Sequence, residues 1–155
     1  MIQLASKGKT TVIQTNKGKT TVIQTKNTFL AVLRRLPALF IMGVSWYLSS
    51  QERVPMPDFR NSDKLVHFVC FGILAVCWSL WFSRGSWQKS ALRNAALCTL
   101  FTSVYGAIDE FHQSFTPGRC AGADDWLADT LGAAIGAAAC VLIARLFRKN
   151  VQALH

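Results

Sequence analysis

"LVHFVCFGILAVCWSLWF" (Leu65–Phe82) runs eighteen residues without one formally charged side chain. At about 1.5 Å per residue, a helix of that length nearly crosses a hydrocarbon core about 30 Å thick. Composition agrees: 51% of the 155 residues are hydrophobic and 16% are charged, too few charges for an ordinary soluble domain. Three more apolar runs accompany it, at Leu36–Gln51, Asn94–Ile108 and Trp126–Phe147. The last is long enough to span. The first and third are short, and need Arg35 and Arg93 to snorkel toward the interface; a re-entrant or buried segment is the alternative for both. The first run is rich in aromatic and polar residues and has no small-residue cleavage site, so it does not read as a signal peptide.

Charge placement predicts orientation. Thirteen of the seventeen cations precede the first run (Lys7, Lys9, Lys17, Lys19, Lys26, Arg34, Arg35), separate the second from the third (Arg84, Lys89, Arg93) or close the fourth (Arg145, Arg148, Lys149). The opposite side keeps Arg53, Arg60, Lys64 and Arg119 together with all eight carboxylates. The positive-inside rule then predicts an all-α integral membrane four-helix bundle with both termini cytoplasmic. Its spans fall at about 36–51, 65–82, 94–111 and 126–147, within a domain covering 34–149. The net charge of +9 suits a leaflet rich in anionic lipid and does not point to nucleic acid. Trp46, Tyr47 and Trp126 fall near the outer ends of spans, and Trp78, Trp81 and Trp87 near an inner end, as interfacial belts do. Gly132 and Gly136 are four apart beside Ala133 and Ala137. That spacing allows close helix approach, either within the chain or in a homo-oligomer.

Ahead of the bundle, "KGKTTVIQTN" (7–16) is followed at once by "KGKTTVIQTK" (17–26). Two copies of ten residues are too few for a solenoid. Residues 1–33 read as a cytoplasmic tail, disordered or weakly strand-forming. Its "GKT" lacks the earlier glycine and the strand-to-helix setting of a phosphate-binding loop. Cys70, Cys77, Cys98 and Cys140 lie inside spans, and Cys120 stands alone in an outer loop, so neither a disulfide nor a thiolate metal site is expected.

The polar residues gather at the outer ends. In "DEFHQSFTPGR" (Asp109–Arg119), Asp109, Glu110 and Gln113 share a helix face, while Pro117 and Gly118 turn the chain. Asp125 and Asp129 lie one turn apart at the start of the fourth run. Asp63 and His67 are four apart at the start of the second, close enough for His67 to donate to Asp63. A carboxylate at mid-bilayer costs about 2.5 to 3.5 kcal/mol on insertion scales, so Asp109, Glu110 and Asp129 should face inward. Arg119 offers a guanidinium that can take a carboxylate and still bind an anion. The same residues read equally as a polar network that holds the helix ends together.

These motifs carry a resemblance. "DKLVHFVCFGILA" (Asp63–Ala75), "DEFHQSFTPGR" (Asp109–Arg119) and "DWLADTLGAAIG" (Asp125–Gly136), in that order, resemble the VanZ-like family of small bacterial membrane proteins. Cys120 stands where such proteins usually carry Ser, and Asp129 where they usually carry Asn. The resemblance covers Leu36 to about Phe147. It implies an outer-face polar centre of Asp63, His67, Asp109, Glu110, Gln113, Arg119 and Asp125, and a link to susceptibility to the glycopeptide teicoplanin; it implies no established reaction.

Three roles follow for such a centre. It could bind an anionic head group, a polyprenyl phosphate or a lipid-linked cell-wall precursor, through Arg119, Gln113, Asp125 and Asp63. It could be catalytic, with Glu110 or His67 as general base, Asp109 beside them, and a divalent cation held by Asp109, Glu110 and Asp125. Or it could be a structural or partner-binding module whose polar cluster locks the fold.

Overall fold

The computed structural model describes residues 4–7, 10–14, 20–22, 25–54 and 61–152, with side chains described over 29–54 and 61–147. Asp58 and Arg60, expected as outer-loop charges, lie outside the described residues, as do the side chains of the tail lysines and of Arg148 and Lys149. The chain divides into two compact units, Met1–Arg34 and Arg35–His155.

In the first unit, β1 (Leu4–Lys7), β2 (Thr10–Gln14) and β3 (Thr20–Val22) form an antiparallel sheet in that order, followed by α1 (Thr25–Leu33). The repeat supplies one strand per copy: the Thr-Thr-Val of each is β-branched, and Val12 pairs with Val22 and Gln14 with Thr20. Strands among the described residues are confined to this unit.

The second unit is all-α, with α2 (Leu36–Ser49), α3 (Ser62–Ser79), α4 (Arg84–Gln113) and α5 (Ala123–Gln152). Pro37 in the first turn of α2 needs no amide partner there. Ser83 caps α4 by accepting the Ser86 amide at 3.2 Å. The helix α4 thus starts ten residues earlier than the apolar run suggested. It is interrupted at Ser90 (φ −145°, ψ 49°), where Ser86 and Asn94 hydrogen-bond across the kink.

Phe29–Ser49, Ser62–Ser79 and Ala123–Phe147 are long and apolar enough to cross a membrane. The helix α4 is long enough but less apolar, because any eighteen-residue window along it contains either Arg93 or both Asp109 and Glu110. Polarity in the helical unit is reversed relative to a soluble protein. Phe40, Leu131, Ile135, Leu142 and Phe147 are more than half exposed. Among the described residues nine buried side chains are polar or charged, as many as the buried apolar ones.

The close approach expected of Gly132 and Gly136 is made inside the chain. A Cβ at Gly132 would run into the backbone of Phe68, and one at Gly136 into the backbone of Gly72. These contacts pair residues four apart on both helices, so α3 and α5 run parallel, with Phe68 beside Gly132 and Gly72 beside Gly136. In this structure α3 covers the face through which a second copy could have docked. Phe71, Leu74, Tyr105 and Ala38 fill the apolar core beneath.

Candidate functional site: a buried polar centre

Parallel packing of α3 on α5 brings the amino-terminal turns of both helices to one end of the unit, together with the last turns of α2 and α4. His67, on α3, faces Asp129, on α5, with Nδ1 3.0 Å from Oδ1. Glu110 comes in from α4, its Oε1 3.7 Å from the same Nδ1. Asp129 is fully buried and Glu110 is 7% exposed. The backbone amide of Gly122, just before α5, donates to Glu110 Oε2 at 3.0 Å and fixes that carboxyl.

Asp109 and Glu110 are adjacent in sequence yet serve different neighbours. Ser45 and Ser49 of α2 donate to the two oxygens of Asp109 at 2.8 and 2.9 Å. Ser49 Oγ also lies 3.1 Å from His112 Nδ1, and His112 stacks on Trp46 with ring centroids 3.8 Å apart. With one proton to give, Ser49 satisfies both by donating to Asp109 and accepting from His112. Thr116 donates to the Ser49 carbonyl, and Tyr105 to that of Met42, so α2 is tied to α4 along its length.

Asp125 is buried and pairs with Lys64 at 3.2 Å, while Lys64 also meets the exposed Asp124. Lys64, rather than Arg119, is therefore the cation that neutralises these carboxylates in the first turn of α5. Asp63 is exposed and His67 does not use it: one helical turn separates them, and His67 points inward to α5 instead. The metal set Asp109, Glu110 and Asp125 does not converge. Among the described residues the group with converging ligand atoms is His67, Glu110 and Asp129. Sequence reasoning turned Asp129 inward but gave it no role, and it passed over Ser45 and Ser49 altogether. An acid inside an apolar run was the signal for the first; nothing local marks the serines.

Pro117 and Gly118 form the centre of a turn closed by the Arg119 amide on the Thr116 carbonyl at 3.2 Å. Gly118 has φ +78°, the conformation a type II turn demands at that position and glycine adopts without strain. The turn brings Arg119 into the lining of a cavity of about 130 Å³. Ile41, Val44, Leu48, Val66, Phe71 and Ile73 line its apolar wall, and Ser45, Ser49, His67, Asp109, Gln113 and Arg119 its polar side. Among the described residues Arg119 makes no ion pair, and its buried Nε has no hydrogen-bond partner.

A family model described as VanZ/LLP1 matches residues 9–145. No curated protein and no solved structure matches the chain.

Proposed function

This chain belongs to the VanZ/LLP1 family, and from that premise we propose that it is a four-pass protein of the bacterial inner membrane that binds an anionic envelope amphiphile. Both termini are cytoplasmic in this reading. The parallel packing of α3 on α5 supports a return of α4 across the bilayer, and the cation bias supports an outer face for the polar centre. The ligand class is a polyprenyl phosphate or a lipid-linked cell-wall precursor, and the cellular consequence is altered teicoplanin susceptibility.

The observation that carries this reading is the cavity. It joins an apolar wall, fit for a hydrocarbon chain, to a guanidinium without an ion pair among the described residues, fit for a phosphate. A buried donor left unpartnered costs about 1 to 3 kcal/mol, which an anionic oxygen would recover.

A second reading has its own support. Asp109, with both oxygens taken by Ser45 and Ser49, acts as a lock between α2 and α4. The two readings part on one experiment: binding of the purified protein, in detergent, to polyprenyl phosphate and to lipid-linked precursors, compared with Arg119→Ala. Saturable binding that Arg119→Ala loses while still folded supports the ligand site, and released product would make Glu110 or His67 catalytic. Equal binding by both forms, or none, leaves the polar centre as a fold lock.

A further inference from the structure

Among the described residues, two oxygens in the buried centre have no donor. Glu110 Oε1 and Asp129 Oδ2 are both enclosed and neither has a hydrogen-bond partner. His67 Nδ1 serves Asp129 Oδ1, but at 3.7 Å it is too far to bond Glu110. Lys64, three residues before His67, is committed to Asp124 and Asp125. Two carboxyl groups thus share a low-dielectric space with one imidazole, where unpaired charge is costly.

We propose that His67, Glu110 and Asp129 hold a divalent transition metal, zinc. One donor comes from each of α3, α4 and α5, and the ligand atoms lie within 4.8 Å of one another. Zinc bonds of about 2.0 to 2.2 Å place tetrahedral donors about 3.3 to 3.5 Å apart, a spacing bracketed by the 3.0 and 3.7 Å separations of His67 from the two carboxylates. Binding exchanges the His67–Asp129 hydrogen bond for coordination, with the shared proton released to solvent, and neutralises both carboxylates. The imidazole favours zinc over magnesium, calcium or manganese, which prefer oxygen donors. The Gly122 amide on Glu110 Oε2 orients that ligand from outside. Gly106 makes room for the other, since a Cβ there would sit 2.8 Å from Asp129 Oδ2. The site stands whether or not the cavity takes an amphiphile.

The test is zinc titration of the full chain in detergent micelles after chelator treatment, read by calorimetry and by thermal unfolding. Expected are a single zinc per chain, a rise in melting temperature, and retention in excess magnesium. His67→Gln and Asp129→Asn, close in shape, should lose both signals while remaining folded. Gly106→Ala, which removes no ligand, should weaken zinc by about tenfold or more. No stoichiometric zinc in the wild type overturns the proposal, and so does equal binding by wild type and Asp129→Asn. The wild-type titration decides even if a variant fails to fold, and no lipid enters it, so its outcome is separate from that of the amphiphile experiment.

Discussion

Replacing Gly132 by alanine pits helix propensity against packing, and the structure predicts which wins. In an open helical position, Gly→Ala stabilises by about 0.5 to 1 kcal/mol. Gly43 in α2 is such a position, with nothing within 4 Å of where its Cβ would stand. At Gly132 the added carbon meets the Phe68 carbonyl, carbonyl carbon and Cα. These are backbone atoms and cannot rotate away, so α3 and α5 must part. Overpacking of this kind costs about 1 to 3 kcal/mol, which exceeds the propensity gain. Gly132→Ala should therefore be destabilised by about 1 to 2 kcal/mol and Gly43→Ala slightly stabilised, a gap of about 2 kcal/mol. Reversible unfolding in mixed micelles, followed by circular dichroism, measures both. The loss should not vary with protein concentration, because the contact is within one chain. A Gly132→Ala variant as stable as Gly43→Ala would refute the α3–α5 packing, and a concentration-dependent loss would assign the glycine face to a dimer.

Two further outcomes are expected. Ser45→Ala with Ser49→Ala removes both donors to the buried Asp109 and should cost about 2 to 4 kcal/mol in the same assay; an unchanged midpoint would mean that Asp109 has other partners. Cys120 is exposed in the loop after α4, so a membrane-impermeant maleimide should label it in intact cells, and labelling only after permeabilisation would invert the proposed orientation.

The helices were legible in the sequence where one rule sufficed. The run Leu65–Phe82 corresponds to α3 at Ser62–Ser79, and Trp126–Phe147 lies within α5, because sustained apolarity leaves a helix as the way to satisfy the backbone. The start of α4 was missed because Arg84–Arg93 is polar, and capping by Ser83 rather than hydropathy starts that helix. At the site, the burial of Asp109, Glu110 and Asp129 followed from the cost of a carboxylate in hydrocarbon. Partner choice did not. Asp63 and His67 satisfy the four-residue rule, but a local spacing cannot show that Gly132 sits beside Phe68, and that register is what delivers Asp129 to His67. The serines of α2 were equally invisible, since their role depends on which helix α2 lies against.

The register of α5 on α3 also has a consequence in time. During synthesis α3 and α4 emerge first, carrying His67 and Glu110, and neither finds its third companion until Asp129 has been made. The α2–α4 lock through Asp109 can close earlier, so assembly has an order: serine lock first, buried centre last. A nascent chain halted before α5 would hold His67 and Glu110 without Asp129, and its buried centre could not close.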